Sequence, residues 1–193
     1  AGPAEVRVAH EQRRLAAGSA LAPLGDRTVV EVSGPDRLTW LDSITSQAVS
    51  RLAPGESTEL LVLDPQGRVE HAAAVLDDGS TAWLLADAAD AEALAAWLTR
   101  MRFRAQVTVA ARSDLSLVGF VDGGTAAQRA TASALRVDDR PLVWADPWQR
   151  VSAGGHQYAE VAVHPGADYA WCVAILDAAG ADALAAEVDR DAL

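Results

Sequence analysis

Between Val29 and Ala72 the chain reads VVEVSGPDRLTWLDSITSQAVSRLAPGESTELLVLDPQGRVEHA, and this succession of local signals admits few folds. An apolar β-branched stretch, Val29, Val30 and Val32, meets Ser33-Gly34-Pro35-Asp36. There a hydroxyl can cap, glycine permits unusual backbone angles and proline suits a first helical turn. The pattern predicts a strand and then a helix beginning near Pro35. Leu38, Leu41 and Ile44, with Trp40 and Val49 beside them, recur at helical spacing and give that helix an apolar stripe, and the segment stops before Pro54-Gly55. Leu60 to Leu63 predicts the next strand. Asp64-Pro65-Gln66-Gly67 then reverses the chain as a hairpin, because proline presets φ and glycine closes the turn.

Downstream, Asp77-Asp78-Gly79-Ser80 predicts a second hairpin, joining Ala72–Leu76 to Thr81–Ala86. Asp87 is expected to cap a helix through Leu98, with Leu94, Trp97, Leu98 and Met101 on one face. Arg102 to Val109 alternates polar and apolar residues and predicts a half-buried strand, which would set Arg100, Arg102 and Arg104 on one side wherever the backbone is extended. Further strands are predicted over Leu115–Val121, Leu142–Ala145, Tyr158–Val163 and Trp171–Leu176, and helices over Thr125–Leu135 and Asp177–Val188. This order fits an α+β fold, with helices packed on largely antiparallel sheets, better than a βαβ series.

The runs GPDRLTWLDSITSQ, PGESTELLVLDPQGRVEH and AWLTRMRFRAQVTV resemble the folate-binding YgfZ proteins, most of all their actinobacterial members. That family is related to the T-protein of the glycine-cleavage system, an aminomethyltransferase that uses tetrahydrofolate. The resemblance implies a T-protein-like folate-binding domain of two related strand-helix-strand subdomains. It implies tetrahydrofolate or a related reduced folate as cofactor. Iron–sulfur proteins or their assembly machinery are the implied partners, with a role in tRNA modification through them. The family's Lys-Gly-Cys-Tyr-x-Gly-Gln-Glu signature and C-terminal barrel do not occur before Leu193. The chain, residues 1–193, is therefore expected to be one folate-binding domain taken from a longer protein.

Folate asks for hydrogen bonding at the pterin edge, aromatic or thioether contact on its face and arginine for its glutamate tail. Trp83, Met101 and Phe103 are the candidate ring contacts, and Arg68, Arg102 and Arg104 the candidate tail partners. Each also reads as an ordinary core or solvated residue unless they converge on one cavity. Aligning Gly67-Arg68-Val69 with the glycine turn of the T-protein places Glu70 and His71 where its paired acidic residues fall. The resemblance thus makes both candidate site residues. An acid followed by histidine puts aminomethyl transfer in doubt, and His71 reads equally well as a structural residue.

All sixteen basic residues are arginine and lysine is absent, so Schiff-base and P-loop lysine chemistry are excluded within this sequence. A net charge of −11 disfavours non-specific attachment to nucleic acid or to an anionic membrane. No apolar run approaches the roughly 18 to 20 residues that span a bilayer, and the N-terminus lacks a signal-type pattern, so a cytoplasmic location is expected. Cys172 reads as a core residue, and four scattered histidines without cysteine partners do not suggest zinc. Ser43, Thr45, Ser46 and Gln47 can face a ligand or satisfy a helix end. Gly123-Gly124 before Thr125 can bind an anion or simply turn, and Trp144 and Trp148 are expected to anchor a loop. Three functions remain open from sequence: a folate-binding accessory protein, a folate-dependent aminomethyltransferase, and an interaction scaffold.

Overall fold

The computed structural model describes residues 3–150 and 165–191. The strand expected over Tyr158–Val163, with His156 and His164, lies outside the described residues. In chain order the elements are α1 (Pro3–Ala16), β1 (Ala22–Pro23), β2 (Arg27–Ser33), α2 (Arg37–Ile44), β3 (Ser57–Leu63), β4 (Val69–Asp77), β5 (Thr81–Asp87) and α3 (Ala91–Met101). They continue as β6 (Thr108–Arg112), β7 (Ser116–Val121), α4 (Thr125–Ser133), β8 (Arg136–Val137), β9 (Arg140–Pro141), β10 (Val143–Ala145), β11 (Trp171–Leu176) and α5 (Ala178–Asp191). Short 3-10 turns occupy Pro147–Arg150 and Pro165–Asp168.

A five-stranded sheet has the order β3-β4-β5-β2-β6, and a four-stranded sheet the order β1-β7-β11-β10. Every pairing in both is antiparallel. Successive strand residues face opposite ways, and β5 shows what that does here. Ala82, Leu84 and Ala86 join the core beneath α2 and α3, whereas Trp83 and Leu85 join a second core shared with the other sheet. The smaller sheet repeats this division. Leu117, Val173 and Ile175 face the shared core, and Val118, Phe120, Ala174 and Leu176 face α4 and α5. The result is four layers, helices on sheet on sheet on helices, which is the α+β class expected from the order of elements.

Several boundaries differ from the expected ones, each for a visible reason. The first predicted helix starts at Arg37 rather than Pro35; Asp36 occupies the N-cap without capping, because its carboxylate accepts the Gln106 N–H at 2.7 Å. That helix stops at Ile44. Thr45 turns extended, and Ser46 bonds to Leu61 of β3 through its N–H (2.9 Å) and through its hydroxyl, which accepts the Leu61 N–H at 3.1 Å. Asp87 does not cap α3. It accepts from Ala89 N–H in a turn, and Asp90 stands at the N-cap instead.

The strand expected over Arg102–Val109 is corrected to a turn followed by β6 from Thr108. Arg102 continues the helical backbone and Phe103 reverses it with φ +42°. Arg100, Arg102 and Arg104 therefore do not alternate along an extended chain. The anion-binding alternative at Gly124 is closed by packing. The Ala126 N–H at the start of α4 donates to Gly18 O at 3.0 Å, and a β-carbon on Gly124 would overlap that same carbonyl.

Candidate functional site

Where the shared core gives out, a cleft of about 1190 Å³ opens between the two sheets. Its floor is low because, on the face of β4 turned toward the other sheet, Ala72 and Ala74 carry small side chains beside Leu61 of β3 and Leu85 of β5. One wall is aromatic: Trp144 from β10, Trp148 from the turn after it, Tyr169 just before β11 and Trp171 at its start. The polar lining consists of Asp26, Arg27, Glu59 and Asp146 with Ser46 and Gln47 from the loop after α2.

The aromatic wall is held by specific bonds. The Trp144 indole donates to the Thr58 carbonyl of β3 at 2.9 Å, and the Ala145 N–H donates to Ser57 Oγ at 3.1 Å. Both bonds tie the edge strand of one sheet to the edge strand of the other. The Trp148 indole donates to Glu59 Oε2 at 2.9 Å, while its backbone N–H donates to Asp146. Tyr169 and Trp171 lie nearly parallel, with ring centroids 6.2 Å apart and planes 14° apart. Trp171 rests on Gly119 of β7, where a β-carbon would overlap the indole. A flat aromatic platform, three carboxylates and a single guanidinium therefore meet in one cleft. That set suits a planar heterocycle whose edge donates hydrogen bonds.

The residues singled out from sequence fall elsewhere, in separate groups. Arg68 is exposed on the β3–β4 turn, where its N–H donates to Asp64. Glu70 is exposed too, and strand pairing slips between Val62↔His71 and Leu63↔Val69, leaving Glu70 as the extra residue of a bulge. It precedes the cleft-lining Ala72 by one turn of the pleat. His71 faces the helices, with Nδ1 at 2.9 Å from both oxygens of Asp90 and its ring 6.3 Å from that of Trp97.

Trp83 is buried in the shared core, and its indole donates to Asp78 Oδ2 at 2.8 Å. Met101 and Phe103 are exposed at the end of α3, and Arg102, Phe103 and Arg104 line a separate recess of about 420 Å³. The expected convergence of Trp83, Met101 and the arginines on one hollow is thus not what the fold builds. Trp144 and Trp148 do anchor a loop, as expected, and they line the large cleft as well. Ser43 and Thr45 satisfy helix carbonyls of Trp40 and Leu41, while Ser46 and Gln47 face the cleft. Cys172 is buried among the residues beneath α4 and α5.

Three carboxylates among the described residues have lowered proton affinities, Asp42 among them through the hydrogen bond from the Ser50 N–H. Burial would raise Asp78, but hydrogen bonds from Ser80, the Trp83 indole and Thr81 outweigh it and hold the carboxyl below its ordinary range. The Arg112 guanidinium holds Asp114 down to about 2 through a hydrogen bond. None of these three carboxylates lines the cleft.

No protein-family model matches the chain, and no curated protein matches it in sequence. Among solved structures it is similar to aminomethyltransferase T of the glycine cleavage system from Bartonella henselae, with a TM-score of 0.62 and 17% identity over 87% of this chain. The matched region is 44% of that enzyme, so the chain spans less than half its length. The fold is therefore that of a T-protein-type domain, mixed α and β with antiparallel sheets. No helix among the described residues is long and apolar enough to cross a membrane.

Proposed function

We propose that this chain binds a reduced folate, tetrahydrofolate or a close relative, with the pterin held in the cleft between the two sheets. The observation that carries the reading is the aromatic platform of Tyr169 and Trp171 sharing a cleft of about 1190 Å³ with the hydrogen-bonding carboxylates Glu59 and Asp146. The platform takes the face of the ring. Glu59 and Asp146 accept from the amino and ring N–H groups at its edge, and Arg27, at the mouth, takes a tail carboxylate. None of the candidate folate-site residues expected from sequence lines this cleft; Glu70 comes nearest along the chain, two residues before the cleft-lining Ala72. A bound reduced folate would supply a carrier for a one-carbon unit.

The biological setting follows from the sequence resemblance to YgfZ proteins: an accessory protein supporting iron–sulfur protein assembly or maintenance and, through it, tRNA modification. A folate-dependent aminomethyltransferase is the alternative, favoured by the likeness of fold. It is weakened by His71, which stands where a second acid is needed and is committed to Asp90. Calorimetric titration with tetrahydrofolate tests the binding. Micromolar affinity that drops roughly tenfold or more in Trp171→Ala supports the cleft. No binding, and no rise in melting temperature with any folate oxidation state, sinks the proposal. Transfer of a labelled aminomethyl unit to tetrahydrofolate would establish the alternative.

A further inference from the structure

The turn that ends α3 carries exposed cationic and apolar side chains, held to the fold by little more than a long hydrogen bond of 3.5 Å from Arg102 Nη1 to the Val107 carbonyl. Residues 99–113 contain Arg100, Arg102, Arg104 and Arg112 and no carboxylate, in a chain whose net charge is −11. Arg112 is engaged by Glu31 and Asp114. The other three arginines are exposed, and among the described residues none of them forms an ion pair. Between them Phe103 is 89% exposed and Met101 43%.

Phe103 is costly twice over. Its φ of +42° lies in the left-handed region, which is uncommon for a bulky side chain and usual for a glycine that ends a helix. Backbone stability favours glycine at this position, and hydration favours a polar residue, yet an aromatic ring is present. Both costs are accounted for when the ring has an external partner. The Arg104 guanidinium lies over that ring, 5.4 Å from its centroid, so charge and apolar surface form one unit.

The backbone beneath is pinned from within. The Trp40 indole donates to Met101 O at 3.2 Å, and Asp36 accepts from Gln106 N–H at 2.7 Å. A feature held this firmly loses little freedom on binding. Ser33, Gly34 and Pro35 bound the adjoining recess of about 420 Å³, which offers room for a partner side chain.

We propose that the Arg100–Arg104 turn docks an acidic segment of a partner protein, its carboxylates on Arg100, Arg102 and Arg104 and an apolar side chain against Phe103 and Met101. The complementarity is local. A nucleic acid would carry phosphates beyond the patch into the field of a strongly acidic chain, whereas a short peptide segment ends where the arginines end. The site is distinct from the cleft, and nothing in it depends on folate.

The test uses the full chain and a random dodecapeptide library displayed on phage. Selected peptides should combine Asp or Glu with Leu, Phe or Trp. A fluorescein-labelled member should lose roughly tenfold or more in affinity, read by anisotropy, against Phe103→Gly and against the double variant Arg102→Ala/Arg104→Ala. Phe103→Gly should at the same time melt about 1 to 4 °C higher, which separates a lost contact from a lost fold. Peptides without acidic residues, or affinities indifferent to both variants, overturn the proposal. So does an oligothymidylate that binds more tightly than any peptide through the same residues, or a dimer of this chain that Phe103→Gly dissolves.

Discussion

Arg37 and Asp77 form a bidentate ion pair inside the protein: Nε reaches Oδ2 at 2.8 Å and Nη2 reaches Oδ1 at 2.8 Å, with Asp77 fully buried. The pair joins the first turn of α2 to the tip of the β4–β5 hairpin. Asp77 Oδ1 also accepts the Gly79 N–H, and the Asp77 backbone pairs with Gly55 and Glu56. One residue thus fixes a helix and a hairpin through its carboxylate and the loop between them through its backbone.

Removing one member strands a buried charge. Asp77→Ala is expected to cost about 3 to 5 kcal/mol in urea unfolding, and Arg37→Met a similar amount. The paired replacement Arg37→Met/Asp77→Leu should recover a large part of the loss. A double-variant loss equal to the sum of the two single losses would show that the pair is not coupled.

Asp78 ties stability to pH. Its carboxyl sits below the ordinary range when folded, so its contribution is present above the unfolded value of about 3.9 and is lost as pH falls through the lowered folded value. Wild type should therefore exceed Asp78→Asn in stability at pH 7, with the gap narrowing as pH drops below about 4. A gap independent of pH would mean that the hydrogen bonds from Ser80, Thr81 and Trp83 do not discriminate between the two protonation states.

Gly119 makes room for the Trp171 indole. Gly119→Ala should cost about 1 to 3 kcal/mol through overpacking, and it should displace the aromatic platform enough to weaken tetrahydrofolate binding. Retained affinity alongside lost stability would remove Trp171 from the ligand site.

His71 is expected to brace β4 against α3. His71→Leu should lower stability by about 1 kcal/mol, the scale of one lost hydrogen bond, and leave folate affinity within about twofold, below the scale of a binding contact. A large fall in affinity in a folded variant would restore His71 to the site.

The hairpins at residues 64–67 and 77–80 were legible in sequence because their chemistry is local. Asp64 Oδ1 accepts from Gln66 and Arg68, Asp78 Oδ1 accepts from Ser80 and Thr81, and Gly67 and Gly79 take positive φ. The α+β class was legible for the same reason, from the order of such signals. The stretch after Met101 was not. Polar–apolar alternation in Arg102–Arg104 is compatible with a strand, and only the left-handed backbone at Phe103 makes it a turn. The cleft was hidden more deeply. Ala72, Trp144 and Trp171 are far apart along the chain and carry no local sign of sharing a space. Ala72 and Ala74 of β4 become informative only once the second sheet lies over them.

Because Val29, Leu76, Trp83 and Leu85 interlock with Leu117, Leu142, Val173 and Ile175 in one shared core, neither sheet owns its inner surface. A break in the connection between Arg112 and Leu115 would hand each fragment a bare hydrophobic wall. The fragments would then survive only by finding one another again. Any molecule that fills the gap between the sheets accordingly fastens the whole chain, since prising the halves apart and emptying that gap are one event.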